Sequence, residues 1–338
     1  MGRPAVTRVA VFGSGSWGTA FAAVLADAGC EAVLHARRRE IADAINADRV
    51  NAEYLPDLVL PSAVSATHDA ASAAEGADIV VLAIPSQTLR DNLTDWRRYL
   101  PPGVPVVSLM KGIELGTGLR MSEVIHEAGG VDTDRVVVLS GPNLSREIAA
   151  RQPAAAVVAC SDISAAEQVA QACATAYFRP YTQTDVIGAE LGGAVKNVIA
   201  LAVGMAEGLG YGDNTKATII TRGLAETARL GSALGADPAT LMGLAGVGDL
   251  IATCMSPLSR NHSFGVNLGH GMSVEEVVAI TRQTAEGVKS CRSVVDLAAA
   301  HGVDMPISAG VAAVVESRIS VGELGDELMS RPHKHERH

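Results

Sequence analysis

A few charges stand in otherwise apolar sequence, and those are the places where chemistry could be done. Lys196 is the only charge between Glu190 and Glu207, within Leu191-Gly192-Gly193-Ala194-Val195-Lys196-Asn197-Val198-Ile199-Ala200-Leu201. A helix this apolar is buried on most faces. A buried ammonium has a depressed pKa and exchanges protons near neutrality. A general acid/base at a carbonyl/alcohol centre needs that property. The competing reading is a lysine that snorkels its amine to water. Gly192 and Gly193, one turn earlier, are expected to leave room for a ligand. Asp249 is the only charge between Asp237 and Arg260 and follows Gly246-Val247-Gly248. It is expected to open a helix, as a plain N-cap, as a carboxylate that positions Lys196, or as an acceptor for a substrate hydroxyl. Ser259-Arg260-Asn261 follows the loop Ser256-Pro257-Leu258. Arginine beside asparagine is a good anion fork, since the guanidinium grips phosphate bidentately and the amide adds a donor. An ordinary surface arginine on a loop fits the same residues.

Other candidates sit at strand ends. Lys111-Gly112 comes just past an apolar run at Val104–Met110, and Ser140-Gly141-Pro142-Asn143 follows another at Arg135–Leu139. Ligands of open α/β sheets bind outside the carboxyl ends of strands, although turn chemistry alone also accounts for these residues. Near the N-terminus, Gly13-Ser14-Gly15-Ser16-Trp17-Gly18 lies between a strand-like and a helix-like segment. In such a GxGxxG loop Gly13 permits the tight turn, Gly15 lets the backbone approach a pyrophosphate, and Gly18 allows close helix–strand packing. The helix N-terminus offers amides to the anion. Trp17 either lies over the pyrophosphate or closes the cofactor cleft, or else it packs at the helix start. The second strand ends in His35-Ala36-Arg37-Arg38-Arg39, with no acid between Glu31 and Glu40. NAD-selective sites usually place a carboxylate there. Arg37 or Arg38 could instead grip a 2′-phosphate, so NADP(H) is favoured with NAD(H) possible. A solvated basic start to the next helix is the alternative.

These residues need a frame. Strand-like runs occur at Arg8–Phe12, Glu31–Ala36, Asp78–Ile84, Val104–Met110 and Arg135–Leu139, with further candidates at Pro153–Cys160 and Ala176–Tyr181. Continuous apolar strands alternating with helices imply a parallel sheet covered on both faces. After about Asp185 helical patterns take over, at Gly188–Leu209, Lys216–Leu234, Pro238–Leu241, Gly248–Cys254, Ser273–Ala279, Val288–Ala300 and Ile307–Val315. The expected fold class is α/β: a Rossmann-type doubly wound sheet over residues 1–187, then a mostly α-helical substrate and dimerisation domain over 188–330. Residues 331–338, with His333, His335 and His338, are expected to form a flexible tail.

Composition removes whole function classes. Among 338 residues, 48% are hydrophobic and 19% charged, so the chain can bury two cores. Its net charge of −10 argues against a nucleic-acid partner. The five cysteines are dispersed, with no CxxC, so neither a disulfide framework nor a metal site is expected, and a reducing cytoplasm suits them. The most apolar stretch, Leu191 to Ala206, is interrupted by Lys196 and falls short of a membrane span. Met1 leads into a strand pattern without a signal-peptide core, and Val6 spoils a myristoylation motif at Gly2.

Taken together, these motifs resemble the bacterial NAD(P)-dependent glycerol-3-phosphate dehydrogenases. The glycine loop, Lys111-Gly112, Ser140-Gly141-Pro142, Leu191 to Asn197, Ile219-Ile220-Thr221-Arg222-Gly223, Gly248-Asp249-Leu250, Ser259-Arg260-Asn261 and Glu286-Gly287 occur in family order, from residue 8 to about 310. The resemblance implies reversible reduction of dihydroxyacetone phosphate to sn-glycerol 3-phosphate, a phospholipid head-group precursor. It implies Lys196 as proton donor and acceptor, and Lys111 in contact with cofactor and substrate. Gly141, Asp249, Ser259, Arg260 and Asn261 are implied in the substrate site, with Asn143 beside it. Ser16, Trp17, Arg37, Arg38, Ser145, Arg260 and Glu286 fall at cofactor-binding positions, and a homodimer is the family's common state. His262 and Ser263 stand where basic residues are frequent, and Ala285 where Val is common. A β-hydroxyacid or 6-phosphogluconate-type dehydrogenase also joins a glycine loop to a helical domain with a lysine. Such sequences place Asn four residues past the Lys, where this chain has Ala200. A non-catalytic NAD(P)H sensor is a further alternative, but it has no need of a lone buried lysine.

Overall fold

Eight short β-branched or alanine-rich segments form one sheet: β1 (Arg8–Phe12), β2 (Glu31–His35), β3 (Val64–Thr67), β4 (Ile79–Leu82), β5 (Val106–Ser108), β6 (Val136–Ser140), β7 (Ala154–Ala159) and β8 (Phe178–Gln183). The computed structural model describes residues 6–281, 285–332 and 335; the readings of Met1, Gly2, His333 and His338 lie outside them. The strand order is β3-β2-β1-β4-β5-β6-β7-β8. Strands β1 to β6 run parallel, as their unbroken apolar character requires when helices cover both faces.

The sheet is mostly parallel, as expected; the exception is β7, which pairs antiparallel to β6 and parallel to β8. The cause lies in the connection. Between β6 and β7 the chain forms only the five-residue helix Ser145–Ala149. That helix rises about 7.5 Å, whereas a five-residue strand needs a return of about 16 Å. The chain therefore turns back beside β6. Strand β3, with Val-Ser-Ala-Thr alternating buried and exposed at the sheet edge, has no apolar run to announce it.

Seven helices carry the argument below: α1 (Ser16–Asp27), α2 (Met121–Gly129), α3 (Val186–Gly208), α4 (Asp213–Ala233), α5 (Asp249–Met255), α6 (Arg260–Gly269) and α7 (Glu286–Ala300). Helix α3 is the axis of the second core, and every residue from Gly188 to Ala206 is buried. By length and composition it could cross a membrane, at mean hydropathy 1.6, but 89% of that apolar window is buried within the protein. Pro238–Met255 passes the same length test with 44% buried.

Helices α3 and α6 meet backbone to backbone. A Cβ on Gly204 or Gly208 would overlap the carbonyl oxygens of His262 and Val266. A Cβ on Gly265 or Gly269 would overlap those of Leu201 and Met205. Glycine on both helices is therefore a packing requirement, and it fixes where α6 begins relative to Lys196. Helix α6 has no counterpart among the helices read from the sequence, and Arg260 and Asn261 open it, which removes the alternative of an arginine on a loop.

Candidate active site

The glycine loop connects β1 to α1. Gly13 has φ +118°, and a Cβ there would strike the Ala83 carbonyl. A Cβ on Gly18 would overlap the Gly13 carbonyl, while Gly15 faces open space. Gly15 caps α1 without any side-chain hydrogen bond, which leaves the first-turn amides to an anion. Ser16 opens the helix. Trp17 packs on Phe21, and its indole N–H is buried without a partner. Asn51 holds the loop in shape, donating to Ser14 O at 2.8 Å and Thr19 Oγ1 at 2.9 Å. No signal in a single sequence connects Asn51 to a loop 37 residues away.

Arg37, Arg38 and Arg39 are exposed just beyond β2. Arg38 is ion-paired to Glu53, and Arg39 lies 2.7 Å from His68 Nε2. An anion recruiting Arg38 must compete with that carboxylate. Arg37 carries no such pairing with Glu53.

The carboxyl ends of β5 and β6 bring Lys111 and Gly141 together, and Lys111 Nζ donates to the Gly141 carbonyl at 2.9 Å. Gly141 has φ +123°, so its backbone conformation suits glycine. Beside it, both polar side-chain atoms of Asn143 and the Ser140 hydroxyl are buried without partners. Such groups call for a ligand or water to satisfy them. Ser145, partly buried, opens the short helix that follows.

Asp249 is the centre. Its carboxylate accepts from Lys196 Nζ at 2.5 Å and from Lys111 Nζ at 2.6 Å. Although it opens α5, it makes no cap; Gly248 takes that place. Lys196 also donates to Thr253 Oγ1 at 2.7 Å. Thr253 was absent from the sequence reading, yet Asp249 and Thr253 are one helical turn apart, a spacing visible in sequence. Burial is the main reason the Lys196 pKa falls from 10.5 to about 8; Asp249 opposes the fall and Lys111 adds to it. Snorkelling is excluded, since Lys196 is 7% exposed.

The two glycines before Lys196 serve protein packing and not a ligand, which corrects the sequence expectation. Gly192 admits the Ala245 carbonyl, and Gly193 lies against the Lys111 stem and the Ser140 hydroxyl. Ser259 is also occupied, because its hydroxyl caps α6 by accepting from His262 N at 3.2 Å. Asn261 donates to Asn197 Oδ1 at 2.9 Å and accepts from Gly287 N at 2.9 Å. That leaves one amide hydrogen to offer. Glu286 opens α7 beside Arg260, Lys111 and Lys196, and takes a backbone hydrogen bond from Ser86. Burial raises its carboxyl pKa, with Arg260 the chief opposing charge. The unusual His262 turns away, 3.5 Å from Glu207, and Ser263 donates to Pro257 O. Ala285 is buried beside Glu286. Among the described residues no group of three or more His, Cys, Asp or Glu could hold a metal.

The cradle at the β1–α1 turn and the lysine–carboxylate centre at the strand ends define a dinucleotide-dependent dehydrogenase. Comparison with known proteins gives the family. Residues 8–166 match the NAD-dependent glycerol-3-phosphate dehydrogenase N-terminus, and residues 185–326 its C-terminus. The chain is 62% identical over 330 residues to the glycerol-3-phosphate dehydrogenase (NAD(P)+) of Streptomyces griseus, covering 98% of each. That of Streptomyces coelicolor is 63% identical over 330 residues, again with 98% of each covered. The crystal structure of glycerol-3-phosphate dehydrogenase from Coxiella burnetii superposes with a TM-score of 0.91 at 34% identity, covering 96% of this chain and 99% of that one. This chain belongs to the NAD-dependent glycerol-3-phosphate dehydrogenase family.

Proposed function

We propose that the chain catalyses the reversible reduction of dihydroxyacetone phosphate to sn-glycerol 3-phosphate, with NADP(H) favoured over NAD(H) and no metal. The observation that carries this reading is the buried Lys196–Asp249–Lys111 centre at the strand ends, with Arg260 and Asn261 opening the neighbouring helix.

The residues present fit a dinucleotide: Gly13 and Gly18 let the β1–α1 turn close on its own backbone, Gly15 leaves open space beside it, and the α1 amides lack a side-chain cap. Gly15, Ser16, Trp17, Lys111, Ser145, Arg260 and Glu286 would hold it, with Arg37 and Arg38 near the 2′ position. A bound dinucleotide would supply the hydride for the carbonyl carbon in reduction and accept it in oxidation. Lys196 holds the proton at Nζ and gives it to the carbonyl oxygen as negative charge develops there; in oxidation the neutral amine takes it from the hydroxyl. Asp249 and Thr253 orient the amine. Lys111, the Gly141–Asn143 turn and Ser259 line the substrate, and Arg260 and Asn261 grip its phosphate, a remote handle that fixes the reacting carbon. Residues 1–187 form the dinucleotide unit and 188–330 the substrate and dimerisation unit of a cytoplasmic homodimer. Neither nucleic acid nor membrane insertion belongs to this reading.

A steady-state assay with dihydroxyacetone phosphate, comparing NADPH and NADH oxidation, tests it. Turnover with a higher kcat/KM for NADPH is expected. Best turnover on a hydroxycarboxylate would overturn the substrate, and cofactor binding without turnover on any triose phosphate would overturn catalysis.

A further inference from the structure

Glu190 is a buried carboxylate that the proposed chemistry leaves unused, and it is 5% exposed. Its two oxygens accept three short hydrogen bonds across the domains: Arg120 Nη1 at 2.7 Å, Ser122 N at 2.7 Å and Ser122 Oγ at 2.6 Å. Arg120 is further fixed by Glu123, at 2.8 Å. A buried ion pair of this kind is poor value for stability, since an apolar replacement of similar volume is often neutral or better. Its placement suggests what it does.

Arg120 ends the loop that Lys111 begins. This loop is stiff: Glu114 N bonds Leu119 O at 2.9 Å, Ile113 bridges Arg120, and Gln87 holds the Ile113 carbonyl at 2.7 Å. Ile113 is fully buried in the second core, against α3 and its neighbours. The Lys111 stem lies on Gly193, one turn along α3 from Glu190. The loop is thus fastened to the catalytic helix module at two ends, Lys111 to Asp249 and Arg120 to Glu190.

We propose that Glu190 is a positioning residue that seats the 111–120 loop on α3, so that Lys111 and Lys196 are held on one carboxylate. The proposal rests on the reading of Lys196 as the proton-exchanging group. Its consequence is electrostatic. The charged and titratable groups facing Lys196 are Asp249 and the Cys254 thiol on α5, Lys111 on the loop and Glu286 on α7; burial pushes the thiol up to about 12, so it stays neutral. Lys111 is the one that holds its pKa down, after burial. Loosening the loop withdraws that cation and frees Asp249 for Lys196, and both changes raise the Lys196 pKa.

The test measures kcat for glycerol 3-phosphate oxidation against pH in the wild type, Glu190→Gln and Ser122→Ala, with melting temperatures alongside. Oxidation needs the neutral amine, so its rate rises through the Lys196 pKa. In Glu190→Gln the midpoint should move up by about half a unit or more, which lowers kcat at pH 7 about threefold per half unit. Ser122→Ala, which keeps the backbone donor, should shift less in the same direction. A midpoint unchanged in Glu190→Gln, however far its melting temperature falls, makes Glu190 merely structural and overturns the proposal. If Glu190→Gln does not fold, an unchanged midpoint in Ser122→Ala does so. The pH dependence of Lys196 acetylation by acetic anhydride, followed by mass spectrometry, reads the same midpoint without turnover. Should the wild type fail on glycerol 3-phosphate, the substrate reading falls, while the labelling midpoints still decide the role of Glu190.

Discussion

Replacing Lys196 with Met should remove activity and leave the protein at least as stable near neutrality. The folded pKa of about 8 lies below the ordinary 10.5, a difference of roughly 2.5 units. At about 1.36 kcal/mol per unit, holding the ammonium in the folded protein costs on the order of 3 kcal/mol. That figure already includes the attraction of Asp249 and the repulsion of Lys111. Between pH 8 and 10.5 the unfolded chain binds more protons than the folded one, so stability rises with pH across that window. Below pH 8 the full cost is present. The Met variant lacks it, and Asp249 keeps Lys111 as a partner at 2.6 Å. At about 2.1 cal/mol/K per residue of unfolding entropy, 3 kcal/mol corresponds to about 4 °C in melting temperature. The variant should therefore melt up to about 4 °C above the wild type at pH 7, with the gap closing towards pH 10. Its kcat should fall by about 10²–10⁴, the usual contribution of a positioned acid/base. In the wild type, ketone reduction should decline as pH rises through about 8 and alcohol oxidation should rise, because one direction uses the ammonium and the other the amine. Melting curves at the two pH values and initial rates in both directions check this. A kcat within tenfold of wild type, or a variant that melts well below it at pH 7, would refute the reasoning.

Removing the guanidinium in Arg260→Ala should raise KM for dihydroxyacetone phosphate about 10–100-fold, the loss of a charge-assisted hydrogen bond; an unchanged KM in steady-state assays removes the phosphate role. Arg37→Ala should weaken NADPH more than NADH, whereas Glu53→Gln, which releases Arg38, should strengthen NADPH; cofactor titration by fluorescence decides, and equal effects on both cofactors would sink the 2′-phosphate assignment. Gly265→Ala forces a methyl onto the Leu201 carbonyl. It should cost about 1–3 kcal/mol of stability and raise substrate KM more than cofactor KM, as read by denaturant melts and kinetics.

Much of this site was legible because charge is rare where it stands. Lys196 and Asp249 announced themselves in apolar sequence, and the structure joins them at 2.5 Å. The glycine loop was legible because its spacing has a steric cause. Other parts were hidden for physical reasons. Asn51 acts through a contact made only on folding, and strand β3 has no apolar run. The reversal at β7 depends on the length of a connection, not on hydrophobicity. The helix that Ser259-Arg260-Asn261 opens was not legible, because the apolar pattern of α6 is interrupted by its packing glycines. Gly192 and Gly193 were misread as space for a ligand, since a single sequence does not say whose atoms a missing side chain admits.

The glycine seam between α3 and α6 has an evolutionary consequence. Two main chains in van der Waals contact cannot be brought nearer, and any added carbon drives them apart. The separation of the two backbones that carry Lys196 and Arg260 is therefore gauged by backbone radii. Neutral drift at Gly204, Gly208, Gly265 and Gly269 has little room, while the walls around that span remain free to vary. A change of reach at this site would have to come from the strand-end turns, leaving this gauge untouched.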